Sequence, residues 1–164
     1  MCIRDRAGGC FWGVEELFRN LPGVLSTEVG YTGGKTANPT YQDVKKGDTG
    51  HAEAIRVTFD PNTLTCQALL HFFFSIHDPT SSNRQGNDKG SQYRSAIFVN
   101  DDQEKALAKT VIEQVEKENF WKKPIVTSLE TAQKFYSAEE EHQKYLEKNP
   151  GGYTCHWQRY PTTT

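Results

Sequence analysis

The apolar positions of the chain change period several times, and each change marks an element. Phe11, Val14, Leu17, Phe18 and Leu21 recur at helical spacing and stop at Pro22-Gly23, which predicts a helix opening at Phe11. Val24 to Tyr31 reads as a strand, followed by a turn-rich segment from Thr32-Gly33-Gly34 to Asn38-Pro39. Glu53, Ile55, Val57 and Phe59 fall in one alternating phase, so a strand is predicted over 51–60. Leu69, Leu70, Phe73 and Ile76 share one side of a helix predicted over 64–76. Residues 78–92 form a long polar loop, a length that in compact domains usually goes with function. A short strand at 95–99, a helix over 101–119 and a strand at 125–129 follow. Ser137 and Glu140 have capping-box spacing and open a last predicted helix that runs to Lys148.

With a short strand before Cys10 the order is β-α-β-β-α-β-α-β-α. The expected class is α+β: a two-layer sandwich whose mixed sheet has a split βαβ, ferredoxin-like core with helices packed on it. No internal repeat, low-complexity tract or linker interrupts the 164 residues, so one domain is expected.

Composition narrows the function classes. The formal net charge of -2, with no basic block, argues against a sequence-independent grip on nucleic acid. No apolar run has membrane-spanning length, and the start has no apolar segment of a signal peptide, so a cytoplasmic protein is expected. The four cysteines, at 2, 10, 66 and 155, are far apart and show no zinc-ribbon spacing. In a reducing compartment, cysteines that stand out point to redox or nucleophilic chemistry rather than to a disulfide scaffold.

Cys10 stands out most. It lies between Gly8-Gly9 and the amphipathic helix, where unpaired backbone N–H groups and the helix dipole are expected to favour its thiolate. Phe11 and Trp12 add an aromatic wall, and a buried helix-start cysteine is the bland alternative. Glu53 shares the face of Ile55, Val57 and Phe59, where burial would keep it protonated and usable as a general acid. Its alternative is a sheet-end glutamate that reaches solvent. Asp88 in the polar loop can orient a water or a hydroxyl, and the Tyr41 and Tyr93 phenols can donate hydrogen bonds. Cys155 follows glycines in the tail, where a mobile thiol could close a disulfide with an oxidised Cys10; a spare surface thiol is the alternative. Cys66 reads as packing within a helix, His71 and His77 as structural, and His142 as part of the acidic helix with Glu139-Glu140-Glu141. A Cys155-His156 metal site lacks companion ligands, so no metal is expected.

Gly9-Cys10-Phe11-Trp12-Gly13 resembles the signature of the peptide methionine sulfoxide reductase A family. Gly30-Tyr31-Thr32-Gly33-Gly34, Asn38-Pro39-Thr40-Tyr41, Gly50-His51-Ala52-Glu53 and His77-Asp78-Pro79 are similar to that family as well. So are Arg84-Gln85-Gly86-Asn87-Asp88, Gln92-Tyr93-Arg94-Ser95 and His142-Gln143-Lys144-Tyr145-Leu146, all in family order. The resemblance implies that Cys10 attacks the sulfur of methionine S-sulfoxide, free or in peptides, while Glu53 protonates its oxygen and Tyr41 and Tyr93 hydrogen-bond it. Phe11 and Trp12 would hold the ε-methyl, Asp88 the main chain or a water, and Tyr153 would close the pocket. Cys10 would be left as a sulfenic acid and Cys155 would resolve it. Thioredoxin would then reduce the Cys10–Cys155 disulfide, with no bound cofactor and a monomer sufficient. One departure stands out: Arg4, Asp5 and Arg6 look wrong for the family's first strand. The domain is therefore expected over 7–164, with 1–6 a foreign or misread leader.

A cysteine peroxidase with a resolving thiol and a non-enzymatic peptide-binding module are the competing readings. The first needs a cation beside the thiolate, and the second predicts that Cys10→Ser leaves function intact.

Overall fold

The computed structural model describes residues 1–162; Thr163 and Thr164, at the end of the expected domain, lie outside the described residues. The chain builds β1 (Cys2–Gly8), α1 (Phe11–Arg19), β2 (Val24–Thr32), α2 (Tyr41–Lys45) and β3 (Ala52–Phe59). After these come α3 (Cys66–Ile76), a minimal hairpin of β4 (Arg84–Gln85) and β5 (Asp88–Lys89), and a 3-10 turn at Ser91–Tyr93. β6 (Ser95–Val99), α4 (Asp102–Glu118), β7 (Ser128–Thr131) and β8 (Tyr136–Ser137) follow. A 3-10 turn at Glu140–His142 and α5 (Tyr145–Lys148) complete the elements. The main sheet runs β7-β6-β1-β3-β2-β8 and is antiparallel except for the parallel β6–β7 pair.

The alternation in β3 sets the two faces. Ile55, Val57 and Phe59 enter a core with Val14 and Phe18 of α1, Leu69, Leu70 and Phe73 of α3, and Val111 and Val115 of α4. Each such side chain contributes about 1.5–3 kcal/mol by leaving water. The opposite phase packs Ala52 and Ala54 against Ala7, Ala96 and Phe98. The helix caps are local: Thr65 accepts from the Ala68 N–H at 3.0 Å, and Asp101 from the Glu104 N–H at 2.8 Å.

Several expectations need correction. Arg4, Asp5 and Arg6, expected to be wrong for a first strand, lie in one: Cys2 to Arg6 pair with β3 and Asp5 to Gly8 with β6. Its charges are accommodated unequally. Asp5 takes a bidentate bond from Arg56, and Arg4 reaches Glu104 at 2.7 Å. Arg6, however, stands between Ile55 and Ile97 at a core position, buried, with its Nε lacking a partner. Cys66 opens α3 rather than lying in its middle.

The helix predicted from Ser137 to Lys148 is replaced by β8, a 3-10 turn and the single turn of α5. Its polar side chains are engaged elsewhere. Glu139 accepts from the Tyr31 hydroxyl and the Tyr41 N–H, and the Gln143 amide brackets Val29. Lys144 is left-handed (φ 51) and gives its N–H to buried Glu15 at 2.6 Å. These long-range bonds outweigh helix propensity. The strand expected at 125–129 begins later, at Ser128, because the Val126 N–H is drawn to the Pro79 carbonyl.

Candidate active site

Cys10 is the N-cap of α1 and is buried, the residue being 7% exposed. The turn before it needs Gly9, whose φ is +100; a Cβ there would meet the Gln85 side chain. Glu53 sits at the open end of the core-facing row of β3, opposite Tyr31 of β2, and is 2% exposed. Its Oε1 accepts the Phe11 N–H at 3.1 Å, so the first turn of α1 holds the carboxyl at the start of the cysteine helix. Burial outweighs that bond and pushes the Glu53 pKa up to about 8. Glu53 therefore carries its proton at neutral pH, as its place in the alternation predicts.

The Cys10 thiol behaves differently from the sequence expectation. Burial, then the Glu53 carboxyl, drives its pKa far above the ordinary thiol range, and the bond with the Trp12 backbone only partly offsets this. The helix N-terminus alone does not make a thiolate where the sulfur is desolvated. At rest the site holds a thiol and a carboxylic acid side by side.

Around the pair stand two phenols. Tyr41 opens α2 and is raised to about 12, and Tyr93 ends the 3-10 turn before β6 and is raised further. Burial comes first in both, and the charges of Glu53, Cys10 and Asp88 act on both as well, so these groups share one space. Asp88, on β5, accepts the Tyr153 hydroxyl at 3.0 Å, and burial raises its carboxyl. Tyr153 thus ties the tail to the polar loop while its ring stays largely exposed. Phe11 lies 6.5 Å from Tyr41 and 5.6 Å from His142, ring to ring, and Trp12 stacks on Tyr145 at 3.9 Å.

Cys155 is half-buried, and all four cysteines are free of disulfides. Its Cβ and sulfur sit over Gly86 of the hairpin, where an added Cβ would come within 3.1 Å. The tail expected to be loose is in fact seated on the end of β1, where buried His156 reaches the Gly8 carbonyl. Among the described residues, no group of three or more His, Cys, Asp or Glu side chains is placed to hold a metal ion. No helix among them is long and apolar enough to cross a membrane.

The family model described as peptide methionine sulfoxide reductase matches residues 6–164. The chain belongs to that family. A peptide methionine sulfoxide reductase MsrA of Mycobacterium sp. (strain MCS) is 53% identical over 153 residues, spanning 93% of this chain and 87% of that one. The reduced form of Mxr1 from Saccharomyces cerevisiae superposes with a TM-score of 0.90 at 41% identity, covering 97% of this chain and 92% of that one. Mxr1 in complex with Trx2 matches at a TM-score of 0.64 and 28% identity, over 97% and 90% of the two chains. Membership makes the protein a thiol-dependent oxidoreductase of methionine sulfoxide.

Two supports of this candidate site escaped the sequence reading. His142 Nδ1 accepts the Trp12 indole N–H at 3.0 Å and fixes the pocket wall. Glu139 accepts the Tyr41 N–H at 2.9 Å and so fixes where that phenol starts. Neither carries a local signal, because each works across about 100 residues or more of chain. The α2 helix that carries Tyr41 did have one: Thr40 and Asp43 form a reciprocal capping box.

Proposed function

We propose that the chain reduces the S epimer of methionine sulfoxide, free and in peptides and proteins, with Cys10 as nucleophile and Glu53 as proton donor. The carrying observation is the buried, protonated carboxyl of Glu53 held on the first N–H of the cysteine helix. A sulfoxide oxygen is a poor leaving group until protonated, and proton transfer to it makes the sulfur more electrophilic. Cys10 then attacks that sulfur and its thiol proton returns to Glu53. The hydroxyl oxygen then passes from the substrate sulfur to the Cys10 sulfur as the new S–S bond breaks, so methionine departs as thioether, Cys10 is left as a sulfenic acid, and no proton is gained or lost overall. Tyr41 and Tyr93 donate hydrogen bonds to the oxygen, and their raised pKa values keep both as donors. Phe11 and Trp12 receive the ε-methyl, Asp88 binds the main chain or a water, and Tyr153 closes the pocket from the tail.

Cys155 closes a disulfide with oxidised Cys10, and thioredoxin recycles it. The Trx2 complex of the similar Mxr1 supports that partner. A reducing, cytoplasmic setting and a monomer accord with this cycle, since one chain carries every named group. The sheet order β6-β1-β3-β2, with α1 and α3 as crossovers, supports a split βαβ, ferredoxin-like core. Arg6, buried where the core wants an apolar side chain, supports the reading of 1–6 as a leader foreign to the catalytic domain of 7–164.

Assaying the two methionine sulfoxide epimers separately with dithiothreitol tests the reading. Turnover of the S epimer is expected, and activity confined to the R epimer would defeat it. Thiol mapping after one equivalent of substrate should find Cys10–Cys155; a Cys10–Cys66 bond would remove Cys155 from its role.

A further inference from the structure

The residue after Cys155 faces the catalytic loop in a way the reduction step does not use. His156 is buried, and its Nε2 lies 2.7 Å from the Gly8 carbonyl oxygen. A carbonyl only accepts, so Nε2 carries the ring proton and Nδ1 presents a lone pair. Nδ1 lies 3.8 Å from Cys155 Sγ, within reach of an S–H donor. The floor under the ring is bare for this purpose. A Cβ on Gly9 would come 3.1 Å from Nε2, and one on Gly13 would collide with Nδ1.

Both partners are neutral at rest. Burial, then the Arg159 guanidinium, holds the imidazole down to about 4 against the pull of the Gly8 carbonyl. Burial pushes the Cys155 thiol up, with the Tyr153 hydroxyl working the other way. The other groups facing the pair are Asp88 and Arg159 on the thiol, His77 beside the ring and Cys10 beyond the sulfur. A thiol must lose its proton to attack; the Gln85 carbonyl, also 3.8 Å from Sγ, can accept a hydrogen bond but cannot carry the proton away, whereas the His156 lone pair can.

We propose that His156 is the general base of disulfide closure, its Nδ1 taking the Cys155 proton as that sulfur attacks oxidised Cys10. The step rests on the reading that reduction leaves Cys10 as a sulfenic acid. The Cys155–Cys10 S–S bond forms as the Cys10 S–O bond breaks. The oxygen departs with the bonding pair, takes a proton from Glu53 and leaves as water. The proton on His156 then passes through solvent to the Glu53 carboxylate. Cys155 sulfur is oxidised, Cys10 sulfur is reduced, and sulfenic acid plus thiol becomes disulfide plus water. Burial holds the imidazole below the operating pH, so it is a weaker base than an ordinary histidine and takes the thiol proton only as the S–S bond forms, releasing it readily afterwards.

The test is a single turnover with methionine S-sulfoxide and no recycling reductant. Methionine release and thiol loss are followed from pH 5 to 9 in wild type, His156→Gln and His156→Ala. The Gln amide keeps an N–H for the Gly8 carbonyl and so keeps the tail seated, but it has no basic nitrogen. In both variants closure should slow roughly tenfold or more relative to methionine release at pH 7. Closure should then climb with hydroxide concentration, whereas wild type stays flat, and added imidazole should speed the Ala variant. A Gln variant that closes at the wild-type rate, or more slowly with the wild-type pH profile, makes His156 an anchor and overturns the proposal. A wild type that releases methionine but forms no Cys10–Cys155 bond overturns the resolving step itself, and the proposal with it.

Discussion

Glu53→Gln isolates the proton the site stores. The amide keeps an oxygen for the Phe11 N–H, which Oε1 now accepts at 3.1 Å, so the start of α1 should stay in place. With a pKa of about 8, about nine-tenths of Glu53 is protonated at pH 7; at its ordinary value well under one-hundredth would be. Loss of a positioned general acid typically costs about 10²–10⁴ in rate. Methionine release in a single turnover should therefore fall by at least about a hundredfold at pH 7. Wild type should also lose activity as pH rises through about 8, and the variant should lack that limb. Stability should move with it. A carboxyl whose folded pKa is raised favours the fold most below about pH 4.5, and that contribution disappears as pH rises towards 8. The whole shift corresponds to about 5 kcal/mol. Denaturant midpoints of wild type should thus decline over that window relative to Glu53→Gln. A Gln variant that reduces sulfoxide at near wild-type rate, or keeps the alkaline limb, would refute Glu53 as the acid.

Other perturbations follow from the same geometry. Gly13→Ala sets a methyl against His156 and Thr154, lifts the tail, and should slow disulfide closure more than methionine release. His142→Leu removes the acceptor of the Trp12 indole and should raise KM for sulfoxide about fivefold, the worth of one hydrogen bond, with a smaller change in kcat. Arg6→Val should raise the thermal midpoint, because a buried guanidinium with an unpartnered Nε gives way to an apolar side chain between Ile55 and Ile97. The gain expected is about 1–3 kcal/mol, or roughly 2–10 °C for a domain of this size. Urea or thermal unfolding checks it, and a lowered midpoint would show that the arginine is accommodated better than its burial indicates.

The parts of the site that were legible in the sequence are those fixed by local pattern. Alternation alone put Glu53 on the face of Ile55, Val57 and Phe59, and that face is the core. The glycine pair and the helical period put Cys10 at a helix start, and it is the N-cap. Charge state was not legible at Cys10, because the local cue, a helix N-terminus, is opposed by desolvation from elements far along the chain. The same limit applies to 137–148. Ser137 and Glu140 had capping-box spacing, but Glu139, Gln143 and Lys144 are held by Tyr31, Tyr41, Val29 and Glu15. The first strand shows the converse. Arg4, Asp5 and Arg6 break the alternation, yet the backbone pairing on both sides of β1 builds the strand anyway.

The neutral state of the Cys10–Glu53 pair also bears on which oxidised molecule the site answers. A peroxide needs only a thiolate and an access route, and a cysteine tuned for it keeps its sulfur ionised by a nearby cation. Cys10 has different surroundings: burial first, then the Glu53 carboxyl, hold its proton on. A sulfoxide changes that balance when it binds. Its oxygen can take the Glu53 proton, which leaves an electrophilic sulfur facing Cys10 and a carboxylate able to receive the thiol proton. Activation of nucleophile and substrate is then one coupled proton exchange. On the proposed reading, the reactivity of Cys10 therefore depends on a ligand that brings its own basic oxygen.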